Sequence, residues 1–381
     1  MNTAERIKVV YVVTSCRKDG PIQQTLNIIK NLDREIFDPI LVTIYEERKN
    51  NSRLDDFTTY VKHYFVPISK MDILLKRTSK MSIFLNKIKP DVVHTLGVFP
   101  DYLISSMKIQ GHILTLRNYA SYDYPDRYGK LKGKLLAKMQ ILAAKKSNIV
   151  VTCSKSLQKI YQDELNFNTE CVQNGVDIKK YSPATERDKM RIREKMGFSK
   201  EDRIFVYSGQ FIGRKNIPFM IDGFNLANTN SKFLLLGDGA GYYDIKEKYG
   251  KNKNLIFVGM VDNVLEYLAA GDIYVSASKS EGLPNGVLEA MAMGIPVLLS
   301  NIPQHKELLP NELDSGGLIF DINDINDYET KIRRFETLDI ENTGNNAREN
   351  MVDNFSDEVM SRKYQVLYER LAARKNEEFS K

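Results

Sequence analysis

The stretch that decides the fold is Asp272-Ile-Tyr-Val-Ser276-Ala-Ser-Lys-Ser-Glu281-Gly-Leu-Pro-Asn-Gly-Val-Leu-Glu289-Ala-Met-Ala-Met-Gly294-Ile-Pro296-Val-Leu-Leu-Ser300. Ile273–Ser276 and Pro296–Ser300 are short, near-continuous apolar runs, the pattern of strands covered on both faces. Between them lie a polar loop and a helix. In an open sheet of such units, ligands sit outside the carboxyl ends of the strands, and the loop falls there. Gly282, Asn285 and Gly286 keep it slim, and Asn285 is a good N-cap. Helix N-terminal N–H groups and the helix dipole favour a phosphate. Glu281 and Glu289 project towards one ligand, and a carboxylate can accept bonds from paired sugar hydroxyls. The same residues also fit a capping loop with two solvated glutamates.

The alternation extends in both directions. Strand-like runs occur at Ile7–Val13, Pro39–Ile44, Val61–Val66, Asp91–Thr95, His112–Leu116 and Asn148–Thr152, with helical segments such as Met71–Ile88 between them. The stretch from Asn174 to Asp202 breaks the rhythm and reads as an inter-domain connection containing a charged helix, Ala184–Met196. A second series follows: Ile204–Ser208, Lys232–Leu236, Leu255–Val258, Ile273–Ser276, Pro296–Ser300 and Gly317–Phe320. This is parallel α/β architecture in two domains. The tail Asp357–Lys375 is a helix with one apolar face, Met360, Tyr364, Leu367 and Leu371.

Further loops carry chemistry. Gly209-Gln210-Phe-Ile-Gly213-Arg214-Lys215 follows a strand, and glycines beside cations there suit a diphosphate. Gly237-Asp238-Gly239 reads as a turn. Cys16–Gln24 holds only Gly20, so it is not a dinucleotide fingerprint, and no Walker A motif occurs. His94, Arg117 and Asn118 each close a strand on the ligand side. For His94 a purely structural place is the competing expectation.

The chain has 381 residues and a net charge of +6. Residues 1–185 carry 29 basic and 18 acidic side chains, a net +11, and residues 186–381 a net −5. Lys70–Lys89 has six basic residues against Asp72 alone, and Arg127–Ser147 has seven and no acid. Basic helices with apolar stripes suit an anionic membrane surface, or are surface helices whose stripe faces the core. No recognition motif for nucleic acid accompanies the charge. Cys16, Cys153 and Cys171 are too scattered for a disulfide framework. No signal peptide or membrane-length apolar run is present, so a cytoplasmic location, peripheral on the inner face of the cell membrane, is expected.

From Glu281 to Val297 the sequence resembles the donor signature of the retaining family 4 glycosyltransferases, and Asn174–Asp177, Gly237–Gly239 and Val258-Gly259 match along the chain. The resemblance implies the GT-B fold: two Rossmann-like domains facing across a cleft, with the final helix returning to the first. The acceptor domain is then 1–180 plus about 357–381, and the nucleotide-sugar domain 200–356. It implies that Glu281 contacts the donor sugar near Gly282, Leu283 and Pro284, that Glu289 binds the ribose, that Lys215 with Arg214 binds the diphosphate beside Gly209 and Gln210, and that Gly20 lies near the donor phosphate. His94, Arg117 and Asn118 become acceptor-side candidates. Gln210 stands where the family usually has Arg, and Arg117-Asn118 where many members have His.

The implied activity is transfer of a sugar, UDP-linked by expectation, from a nucleotide sugar to a glycan or lipid-linked acceptor in bacterial surface polysaccharide biosynthesis. The nucleotide sugar is a co-substrate and no cofactor is implied. No Asp-x-Asp occurs, and Arg214, Lys215 and the helix at Asn285 stand in for a metal. The alternatives are a catalytically weak nucleotide-sugar-binding partner and a sugar-nucleotide epimerase of the same fold.

Overall fold

Strand and helix alternate along both series, as the apolar runs require. The computed structural model describes residues 5–107 and 109–379; residues 1–4, 108, 380 and 381, some of them within the expected domain limits, lie outside the described residues. The chain divides into Met1–Gly175 with Asp357–Lys381, and Val176–Ser356.

In the first unit the strands are β1 (Ile7–Val13), β2 (Phe37–Thr43), β3 (Lys62–Phe65), β4 (Val92–Thr95), β5 (His112–Leu116), β6 (Ile149–Thr152) and β7 (Glu170–Cys171). They form one parallel sheet in the order β3-β2-β1-β4-β5-β6-β7. Only β7, a two-residue edge strand, has no counterpart among the sequence expectations. Helices cover both faces of the sheet, which is why β1 is apolar at nearly every position. Val9, Tyr11 and Val13 pack with the helix Gly20–Lys30 and with Met360, Tyr364, Leu367 and Leu371 of the last helix, Asp357–Phe379. That helix belongs to the first unit, as expected, and Asp357 is tied to Lys30 at 2.6 Å. Val10 and Val12 face the opposite layer, with Ile73, Met81, Leu85, Leu103 and Ile104.

Two helical expectations break. Met71–Ile88 is not one helix: Lys70–Leu74, closed by a Ser69–Asp72 capping box, is separated from Ser79–Ile88, and Lys76 between them is left-handed at φ 53°. The basic segment Arg127–Ser147 spans a chain reversal at Gly129, between the helices Ala120–Tyr128 and Lys130–Ala144.

The second unit has β8 (Ile204–Ser208), β9 (Lys232–Leu236), β10 (Leu255–Gly259), β11 (Ile273–Ser276), β12 (Val297–Ser300) and β13 (Gly317–Phe320), parallel in the order β10-β9-β8-β11-β12-β13. The charged helix Glu186–Met196, expected in the connection, is instead an anchored part of this unit. Arg193 is 4% exposed; it donates to Asp272 at 2.7 Å and to the Ala270 carbonyl at 2.9 Å, while Lys189 holds the other Asp272 oxygen at 2.8 Å. A buried guanidinium needs such a full set of acceptors.

In each sheet the strand order reverses once, between β1 and β4 and between β8 and β11. Ligands of open α/β sheets bind at such reversals.

Candidate functional site

The reversal in the second unit brings together two loops far apart in sequence. The one after β8 carries Gly209, Gln210, Arg214 and Lys215. The one after β11 carries Glu281 to Pro284. They are joined by backbone: Lys279 N–H donates to the Arg214 carbonyl at 2.7 Å, and Arg214 Nη1 donates to the Ser280 carbonyl at 2.9 Å. Glu281 is held by both cations. Arg214 Nη1 donates to Oε2 at 2.9 Å, and Lys215 Nζ donates to Oε1. The carboxylate is 7% exposed, Lys215 15% and Arg214 28%. Burial pushes the Glu281 carboxyl up, but Lys215, Arg214 and a hydrogen bond from Ser278 outweigh it and hold it at about 2. Glu281 is therefore a permanent acceptor and not a proton donor at neutral pH.

The β8 loop is shaped by Gly237 after β9. Gly237 sits at φ 120°, and a Cβ there would lie 1.9 Å from the Gly209 carbonyl oxygen. Phe211 N–H donates to the Asp238 carbonyl, and Gly241 N–H to the Phe211 carbonyl, at 3.0 and 2.9 Å. The Gly-Asp-Gly expected as a turn is thus the brace of the cation loop. Gln210 is exposed, and its carbonyl accepts from the Tyr207 hydroxyl at 3.0 Å.

The helix Asn285–Ala292 starts one residue earlier than its sequence suggests. Pro284 is the N-cap, no side chain caps the helix, and Asn285 is its first residue, so the capping role expected of Asn285 is not seen. Gly286 packs on Tyr274 and Ser208: a Cβ would lie 2.5 Å from the Tyr274 hydroxyl, which itself donates to the Ser208 carbonyl at 2.9 Å. Leu283 and Pro284 are buried, Gly282 and Glu289 half-buried, and the Glu289 charge bears on Tyr274.

Beneath Glu281 lies a polar network that the sequence expectations do not include. His305, on the short helix Pro303–Lys306, is fully buried. Its Nδ1 is 3.1 Å from the Ser300 carbonyl, which can only accept, so Nδ1 carries the proton. The Ser300 hydroxyl donates to the Ser278 carbonyl at 2.7 Å, Nε2 lies 3.5 Å from the Ser276 hydroxyl, and Ser276 and Ser278 hydroxyls are 3.2 Å apart. Burial lowers His305 to about 4, so it is neutral. The available signal was a serine closing each of two apolar strands, β11 and β12.

In the first unit the candidates separate. His94 is a core residue, a correction to its acceptor-side assignment. It is fully buried, Nδ1 pairs with the Tyr368 hydroxyl and Nε2 with the Thr115 hydroxyl, each at 2.8 Å, and burial drives its pKa well down. Arg117 directly follows β5 and is half-buried. Nη1 donates to Asn174 Oδ1, while Nε and Nη2 are buried with no hydrogen-bond partner. The Asn118 carbonyl accepts from Tyr161 at 3.3 Å. Gly20 opens the helix Gly20–Lys30, but Asp19 caps it, accepting from Ile22 N–H at 3.1 Å. A carboxylate thus already occupies that N-terminus, with the charges of Arg17, Arg127 and Arg53 bearing on it.

Residues 188–354 match the family model described as Glycosyl transferases group 1. Over 380 residues the chain is 26% identical to the UDP-Gal:alpha-D-GlcNAc-diphosphoundecaprenol alpha-1,3-galactosyltransferase of Escherichia coli, covering 93% of this chain and 95% of that one. It is 24% identical to the capsular polysaccharide biosynthesis glycosyltransferase CapH of Staphylococcus aureus, over 79% of this chain and 83% of the relative. In fold it is similar to Anabaena HepE, whose structure was solved with UDP and glucose, with a TM-score of 0.76 at 16% identity over 94% of this chain and 98% of that one. The architecture is that of the GT-B fold.

Proposed function

We infer that this chain, whose residues 188–354 match the Glycosyl transferases group 1 model, is a retaining glycosyltransferase that takes its sugar from a UDP-linked donor and passes it to a glycan or lipid-linked acceptor of bacterial surface polysaccharide. The observation that carries this reading is the pairing of Arg214 and Lys215 with Glu281 at the strand-order reversal. Two cations beside one carboxylate leave a net positive charge where a diphosphate would gain charge as it departs. In the proposed step the bond from the anomeric carbon to the β-phosphate oxygen breaks and its electron pair leaves with the diphosphate. The acceptor hydroxyl oxygen bonds to the same face of that carbon, and its proton passes to the departing phosphate. Glu281, deprotonated throughout, accepts hydrogen bonds from donor-sugar hydroxyls, and Glu289 accepts from the ribose. Gly209 and Gln210 border the diphosphate, and Gly282, Leu283, Pro284 and Asn285 the sugar.

Metal-independence rests on Arg214 and Lys215 supplying the charge, and no cofactor is part of the scheme. Gln210 is uncharged, and Arg214 takes over the duty of the Arg usual at that place. Arg117 and Asn118 stand on the acceptor side, and Gly20 is assigned to the donor phosphate. The relatives' names support a setting in envelope polysaccharide assembly, and we place the protein on the cytoplasmic face of the membrane. Among the described residues no helix is long and apolar enough to cross a membrane.

The test is the full chain with UDP and UDP-sugars. UDP is expected to raise the melting temperature by mass action. Transfer is expected to persist in EDTA, and NMR of the product is expected to show the anomeric configuration of the donor. No stabilisation by UDP, or undiminished transfer by both Glu281→Ala and Lys215→Ala, would overturn the site. Release of a free altered sugar without acceptor would favour an epimerase instead.

A further inference from the structure

The helix Lys130–Ala144 is apolar on two faces. One face, including Gly133, Leu136, Ala137, Gln140 and Ala144, is buried. The other carries Leu131, Leu135 and Leu142, 90%, 56% and 42% exposed, in one line with Lys138 at steps of four, three and four. Side chains at that spacing share one face of a helix. The lysines Lys130, Lys132, Lys134 and Lys138 are exposed along it.

A second such surface lies in the same layer. Helices Lys70–Leu74 and Ser79–Ile88 pack on the sheet face of Val10 and Val12, and Phe99 and Tyr102 pack both against that cluster and against the one holding Leu136 and Met139. There Met71, Leu75 and Ile83 are 60%, 54% and 71% exposed, beside exposed Lys76, Arg77 and Lys80. Isolated exposed apolar side chains are ordinary, but two sets in one layer, each among cations, are not.

We propose that this layer of the first unit is the surface that docks on an anionic lipid bilayer, with Leu131, Leu135 and Leu142 entering the headgroup–acyl boundary and the flanking lysines meeting lipid phosphates. The inference deepens the membrane placement given above and does not depend on the transfer chemistry. Charge decides the occupant. Residues 127–147 hold seven cations and no acid, so a second copy placed face to face would set like charges against each other. An anionic bilayer neutralises them at about 1 kcal/mol for each Lys or Arg near its surface. Leu131 stands almost wholly in solvent, so a protein partner would have to bring a pocket for it, whereas a bilayer presents one everywhere.

The experiment is co-sedimentation of the full chain with vesicles of phosphatidylcholine alone and of phosphatidylcholine mixed with phosphatidylglycerol, at low and high salt. Binding is expected to the anionic vesicles only and to weaken with salt. L131S/L135S/L142S is expected to bind at least about ten-fold less tightly, and K130Q/K134Q/K138Q on the order of a hundred-fold less. All six positions are exposed, and unchanged circular-dichroism melts confirm that the variants fold. No binding, which would leave the surface to an acidic protein partner, equal binding to both vesicles, or full binding by the leucine variant would overturn the proposal. Transfer to a soluble acceptor, measured without vesicles, tests the catalytic reading separately.

Discussion

Arg214 Nη1 lies 2.9 Å from Glu281 Oε2, and Lys215 holds the other oxygen of the same carboxylate. Arg214 is fixed further by backbone: its Nη1 donates to the Ser280 carbonyl, and its own carbonyl accepts from Lys279 N–H. Groups fixed before the reaction need no reorganisation during it, which is where electrostatic catalysis draws its strength.

Removing Lys215 as Lys215→Ala is expected to lower kcat about 10²–10³-fold, the loss seen when one preorganised donor to a developing charge is deleted. Arg214→Ala should behave similarly. Gln210→Arg added to Arg214→Ala should recover part of the loss in kcat/KM for the donor, since it returns a guanidinium to the same loop. Steady-state kinetics with the UDP-sugar checks this, and a double variant as poor as Arg214→Ala would show that the place of the charge matters more than its presence.

Gly286→Ala would drive a Cβ to 2.5 Å from the Tyr274 hydroxyl, closer than real Cβ contacts come. Donor affinity, read from the UDP thermal shift, is expected to fall. Tyr274→Phe in the same chain removes the clashing oxygen and should restore part of it. Failure of the rescue would locate the clash at Ser208 instead.

Two buried groups give stability opposite pH dependences. His305 falls from 6.5 to about 4. Between those values the unfolded chain binds the extra proton, so its contribution is complete above pH 6.5 and is lost as pH falls towards 4, on the order of 3 kcal/mol. Asp101 is fully buried, accepts from Gln140 at 2.9 Å, and is raised by burial from 3.8 to about 7. There the folded chain binds the extra proton, so its contribution is complete below pH 3.8 and is lost as pH rises from there through 7, on the order of 4 kcal/mol. Urea midpoints across pH should show less acid loss in His305→Asn, and an advantage for Asp101→Asn that grows from about pH 4 to 7 and then levels off. Parallel curves for variant and wild type would count against both assignments.

Breaking the Arg193–Asp272 pair by either single substitution should cost about 3–5 kcal/mol, because the partner is left charged and buried. Arg193→Met with Asp272→Leu should cost less than the two singles summed. Urea denaturation in a double-mutant cycle measures the coupling, and strict additivity would deny it.

Much was legible from one sequence because the determinants are local. Apolar runs bounded by glycine and polar residues mark strands wherever both sheet faces are covered, and every strand but the two-residue β7 was visible in this way. The loops at strand carboxyl ends follow from the alternation of strand and helix, which puts Glu281 and Lys215 on the ligand side. The stripe Met360, Tyr364, Leu367 and Leu371 showed that the last helix must dock.

What the sequence by itself determined is which segments bury a face and which loops lie at strand ends, since both depend on neighbours a few residues away. The tertiary structure alone decided which partner each face and each polar group meets. His94 looked like a strand-end ligand residue, but Tyr368, 274 residues later, covers it. His305 had no pattern to mark it until Ser276, Ser278 and Ser300 converged on it. The leucines of Lys130–Ala144 form one mixed stripe in sequence and two opposite faces in space, because periodicity reports spacing around a helix and not which side the rest of the chain covers.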